Sequence, residues 1–64
     1  MSVKYTLQWF DGYLPSQDTV VKKNYMIGDV IREGVGLGSR VLTKSVDERC
    51  GSTILTLKGP TDAD

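Results

Sequence analysis

Val3-Lys4-Tyr5-Thr6-Leu7-Gln8-Trp9-Phe10 (VKYTLQWF) alternates apolar and polar residues without a break until its last position. Successive side chains of an extended chain point to opposite sides, so Val3, Tyr5, Leu7 and Trp9 share one apolar face while Lys4, Thr6 and Gln8 share a polar one. The β-branched and aromatic content suits a strand with one buried face. Tyr5 and Trp9 therefore read as core. Phe10 falls on the polar side, which marks a strand end or an aromatic kept for a contact.

The chain reverses directly afterwards. Asp11-Gly12 supplies a residue that bonds its own backbone and one free to take positive φ. Tyr13 to Gln17 lengthen the reversal to a loop of roughly seven residues, since Pro15 cannot donate to a ladder. A second strand is expected over 18–24, containing Thr19, Val20 and Val21, with a polar Lys22-Lys23 end that suits a sheet edge or a strand leaving the sheet. From Met26 to Gly34, Ile27, Val30 and Ile31 follow the i, i+3, i+4 spacing of a helix face. Asn24 would cap its start, and Gly34 would take the left-handed position at its end. Gly28 and the β-branched residues oppose this, so a strand remains the alternative to the preferred short helix. A glycine-rich connection follows at 34–38. A third strand is then expected over 40–47, where the adjacent apolar pair Val41-Leu42 points to a bulge or to burial on both faces. The turn Glu48-Arg49-Cys50-Gly51 and a fourth strand over 53–58 complete a single small domain spanning 1–60, with a short acidic tail at 61–64.

The expected fold is thus α+β and β-rich, a four-stranded antiparallel sheet with one short helix in the order strand-strand-helix-strand-strand. That order resembles the β-grasp plan. The resemblance is one of pattern, and no motif names a family. If 26–34 is a strand, the alternative is an all-β, five-stranded SH3-like or OB-like small barrel. A helix of nine residues spans only ~13 Å, too little to cover four strands, so part of the sheet is expected to stay open as apolar surface.

Composition narrows the function. A chain of 64 residues buries only about 60% of the surface its unfolded form exposes, and such a core seldom supplies more than ~3–5 kcal/mol. Little remains to hold strained catalytic groups. The sequence contains no histidine, which removes the side chain that titrates near neutrality, the Ser-His and Cys-His nucleophile arrangements and the commonest metal ligand. No catalytic residue, metal ligand or cofactor is expected. Eight basic and eight acidic residues balance to zero. That argues against nucleic acid as the main partner and does little to oppose self-association. Cys50 is the lone cysteine, so no internal disulfide forms; it reads as a half-buried side chain beside a turn glycine. No segment has the length of a membrane span or signal-peptide core. These absences point to a cytoplasmic location, or an intracellular, virus-encoded one. Gly34-Val35-Gly36-Leu37-Gly38 meets neither the Rossmann nor the P-loop spacing and reads as a connector. Asp47, Glu48, Asp62 and Asp64 lack calcium-loop spacing and read as solvated charges.

The aromatic residues are the most informative remainder. Phe10, Tyr13 and Leu14 flank a polar reversal, where large apolar side chains serve as interface anchors. Lys22, Lys23 and Arg32 would add charge selectivity. These six residues form the expected partner-binding site of a non-enzymatic protein-interaction module, an inhibitor or small accessory subunit, whose partner is another protein or a second copy. Two alternatives stand beside it. One is a single-stranded nucleic-acid-binding small β protein, with Lys22, Lys23, Arg32, Arg40 and Lys44 gathered in a basic stripe and Trp9 reporting on binding. The other is a structural subunit of a viral or other particle. A membrane partner is not expected.

Overall fold

Two β-hairpins joined by one long crossover account for the architecture. The computed structural model describes residues 2–60, and the acidic tail expected at 61–64 lies outside the described residues. Strand β1 (Val3–Trp9) turns back through a seven-residue loop into β2 (Gln17–Val21). The chain then passes over one face of the sheet and continues into β3 (Arg40–Asp47) and β4 (Ser52–Lys58). The strand order is β2-β1-β4-β3. Each hairpin is antiparallel, as expected, but β1 and β4 meet at the centre as a parallel pair with Leu7 beside Leu55 and Trp9 beside Leu57. The sheet is therefore mixed rather than antiparallel throughout. The reason is topological: a crossover that carries the chain from one edge to the other brings the first and last strands together in the same direction.

The core lies on the face beneath the crossover. Tyr5, Leu7 and Trp9 of β1, Val21 of β2, Val41 of β3, and Leu55 and Leu57 of β4 are buried there, under Tyr25 and Ile31 of the crossover. Full burial of one such aliphatic side chain is worth about 1.5–3 kcal/mol. Alternation along β1 follows the sequence reading residue for residue. The apolar pair Val41-Leu42 marks a bulge, because the pairing with β4 passes from Val41↔Leu57 to Thr43↔Thr56 across Leu42.

Residues 26–34 do not form the expected helix. Met26 and Asp29 close a turn reciprocally, with Asp29 N donating to Met26 O at 3.0 Å and Met26 N to Asp29 Oδ2 at 2.9 Å. Gly28 takes φ +94°, which no helix interior accommodates. Its amide donates to Val41 O, Val41 N donates to Asp29 O, and Val30 makes a single antiparallel bridge with Arg40. The backbone groups that a helix would have used are thus spent on the start of β3. Gly34 does adopt positive φ (69°), but it opens a 3₁₀ turn (Gly34–Gly36) instead of closing a helix. Asn24 caps nothing, since its Oδ1 accepts from Tyr5 Oη and Lys44 Nζ. The barrel alternative fails as well, because β2 and β3 remain edges of an open sheet.

Polar bonds pin the crossover down. Trp9 Nε1 donates to the buried Ser39 Oγ at 2.9 Å. Tyr5 Oη donates to Asn24 and accepts from Tyr25 N, while Tyr25 Oη donates to Glu33 and accepts from Arg32 N. Burial raises the Tyr5 phenol above its ordinary pKa, the donation from Tyr25 N only partly offsetting it. Among the described residues no element covers the opposite face of the sheet, but that face is not the apolar surface expected. Thr6, Gln8, Thr43, Ser45 and Thr56 dominate it, joined by Thr6–Asp18 and Gln8–Thr56 hydrogen bonds, with Val20 and Ile54 among them.

Candidate functional site

The parallel pair ends where Phe10 leaves β1. Phe10 N donates to Leu57 O at 3.0 Å, which extends the pairing by one residue and keeps Phe10 on the uncovered face, 62% exposed. The reversal then tightens through Gly12 N, which donates to Trp9 O. Asp11 holds the loop. Its Oδ1 accepts from Tyr13 N at 3.1 Å, and its Oδ2 accepts from Gly59 N at 2.9 Å, just beyond the end of β4. The Gly59 amide is the main reason the Asp11 carboxyl lies below its usual pKa, with the Tyr13 amide and the nearby Lys58 charge adding to it.

Tyr13 lies against Gly59. A Cβ built on Gly59 would meet Tyr13 Cγ and Asp11 Oδ2 at 3.1 Å each, so only glycine lets the ring and the carboxylate approach so closely. Tyr13 nevertheless stays 54% exposed. The loop is thus a tethered one that holds two aromatic side chains in solvent. Leu14 differs from its expected role: it is half-buried and packs against the core cluster, which anchors the loop to the sheet.

The three expected bases stand elsewhere. Lys22 and Lys23 follow the end of β2, beside Val3, whereas Phe10 follows the opposite end of β1. Seven strand residues separate the two places by about 20 Å. Arg32 joins the lysines through Glu33, whose Oε1 accepts from Lys22 N, and through Tyr25. Lys23 sits 3.8 Å from Asp29 and 5.1 Å from the Tyr25 ring centroid. The structure therefore groups the aromatics and the bases separately.

Other bases stand nearer the aromatics. Lys58 and Arg40 face each other across β4 and β3, and the parallel register places Lys58 beside Phe10. Both are exposed, and Arg40 donates to Gly28 O. Among the described residues neither forms an ion pair, and like charges directly opposite are unfavourable in a sheet. The basic stripe included Arg40 but missed Lys58. The signal for Lys58 was the same alternation that set Phe10 on the polar face, once β1 and β4 are known to be neighbours.

Trp9 is buried and cannot stack on a ligand. Cys50 is exposed, not half-buried, with Sγ 3.4 Å from Ser52 Oγ. Among the described residues no group of three metal-ligating side chains comes together, and no helix is long and apolar enough to cross a membrane. No protein-family model, curated protein or solved structure matches the chain.

Proposed function

We propose that this domain is a non-enzymatic protein-interaction module, working as an inhibitor or small accessory subunit in an intracellular, cytoplasmic or virus-encoded setting. One observation carries the reading: Asp11 ties the 10–16 loop to Gly59 while Phe10 and Tyr13 stay in solvent. A loop already ordered loses little further entropy on binding, and rigid aromatics with few torsions are efficient anchors. The surface proposed is narrower than the six residues that the sequence pattern suggests. Phe10 and Tyr13 provide the apolar contact, and Lys58 and Arg40 replace Lys22, Lys23 and Arg32 as the charges that select an acidic partner. The exposed thiol of Cys50 fits a reducing compartment. We also read the order β2-β1-β4-β3, with its parallel central pair, as a β-grasp plan whose helix is replaced by an irregular crossover.

The test is affinity capture from the source cells, followed by titration of the identified partner against the wild-type domain and the Phe10→Ala and Tyr13→Ala variants. Each substitution should weaken binding by at least about 2 kcal/mol, the scale of an interface hot spot, while the melting temperature holds. Unchanged affinity, or variants that simply unfold, would remove the site.

A second reading is single-stranded nucleic-acid binding, favoured by the row Phe10-Lys58-Arg40, in which an aromatic face lies beside two cations. Fluorescence anisotropy of a labelled oligonucleotide distinguishes the two. Affinity that falls steeply with added salt supports this reading, and no binding at low salt rejects it.

A further inference from the structure

The two edges of the sheet are not equivalent. At its start, β3 has its outer edge occupied by Gly28 and Asp29. On β2 the direction of each backbone group follows from the hydrogen bond between Phe10 N and Leu57 O. In a parallel pair, alternate residues of a strand turn their amides to the same neighbour. Thr6, Gln8 and Phe10 therefore face β4, and Val3, Tyr5 and Leu7 face β2. Their register partners Val21, Thr19 and Gln17 turn inward to meet them. Asp18 and Val20 consequently point their N–H and C=O groups outward, away from the sheet. Lys22 continues the pattern, its amide turned out to Glu33 Oε1 at 3.4 Å, a long bond that is readily exchanged.

The side chains of these residues are self-complementary. Asp18 and Val20 lie on the uncovered face, Val20 being 62% exposed, and extending the strand by one residue sets Lys22 there too. The order acid, aliphatic, base at alternate positions pairs with itself only in the antiparallel direction. With a twofold axis through Val20, each Val20 exchanges both backbone bonds with the same residue of the second copy. Each Asp18 then stands opposite Lys22 of the other chain. Asp18 offers a free oxygen for this, since Oδ1 accepts from Thr6 Oγ1. A twofold axis normal to the sheet also keeps equivalent faces on the same side, which joins the two sheets into one of eight strands.

We infer that β2 is a homodimerisation edge, on which a second copy of this chain pairs antiparallel about Val20 and is held in register by two Asp18–Lys22 ion pairs. The zero net charge of the chain leaves no long-range repulsion to oppose it. This interface is separate from Phe10 and Tyr13.

Sedimentation equilibrium from micromolar to millimolar concentration tests the inference, with circular dichroism as the check on folding. The wild-type chain should show a concentration-dependent monomer–dimer equilibrium that weakens with added salt. Asp18→Lys and Lys22→Asp should each raise the dissociation constant about tenfold or more, by placing like charges opposite each other. The double charge swap should restore the wild-type value, and Phe10→Ala should leave it unchanged. A wild-type chain that stays monomeric at millimolar concentration overturns the inference. So do single reversals that dimerise as well as wild type, or a double swap that fails to rescue them.

Discussion

Trp9 Nε1 and Ser39 Oγ lie 2.9 Å apart at the buried point where the crossover rejoins the sheet. Neither group has water to turn to, so each depends on the other. Ser39→Ala should destabilise the domain by about 1–3 kcal/mol, the cost of a buried donor left without a partner. Urea denaturation followed by Trp9 fluorescence measures it directly. An unchanged midpoint would show that Trp9 is not anchored through this bond.

Asp11 predicts an acid dependence. Its folded pKa lies below the usual carboxylate value because Gly59 N and Tyr13 N donate to the charged form. The stability it contributes is present above the unfolded pKa and is lost as pH falls through the folded one. Asp11→Asn should therefore melt lower than wild type at neutral pH, and the gap should close as the solution is acidified to about pH 2. Parallel melting curves across that range would contradict the tether.

Tyr5 predicts the opposite limb. Burial raises its phenol above the ordinary value, so its contribution is complete below the unfolded pKa of about 10 and is lost as pH rises through the folded one. Tyr5→Phe should cost about 1–3 kcal/mol at neutral pH, because Tyr25 N loses its acceptor. The same variant should lose less stability than wild type between neutral and strongly alkaline solution, as monitored by circular dichroism.

Gly59→Ala tests the loop's shape. The added methyl would meet Tyr13 and Asp11 at 3.1 Å, so the ring must move. The expected result is a changed set of Tyr13 ring-proton shifts in the NMR spectrum, with core resonances such as those of Leu55 and Leu57 unmoved. Undisturbed Tyr13 signals would show that the ring does not rest on Gly59.

How much of this was legible in the sequence depended on range. The alternation of β1, the seven-residue loop, the bulge at Leu42 and the turn at 48–51 were all readable, because each is set by neighbouring residues. The crossover was not. Ile27, Val30 and Ile31 carry helical spacing, but their backbone is claimed by Ser39, Arg40 and Val41, and such tertiary pairing overrides a weak local preference. The parallel meeting of β1 and β4 was equally hidden, since nothing local specifies which strands become neighbours.

The candidate site divided in the same way. Phe10 and Tyr13 announced their exposure by standing beside a polar reversal. The Asp-Gly pair announced a turn, but not that the second carboxylate oxygen would reach Gly59 at the far end of the chain. Lys22 and Lys23 follow the loop closely in sequence, yet β2 carries them to the other end of the sheet.

The central ladder joins residues 48 positions apart, as Gln8 and Thr56 show. During synthesis the first hairpin would emerge with Tyr5, Leu7 and Trp9 bare, and it has no stable companion until the last strand leaves the ribosome. Folding is therefore expected to be delayed and all-or-none, governed by a distant loop closure. A nascent chain stalled before Leu55 should remain protease-sensitive however long it waits.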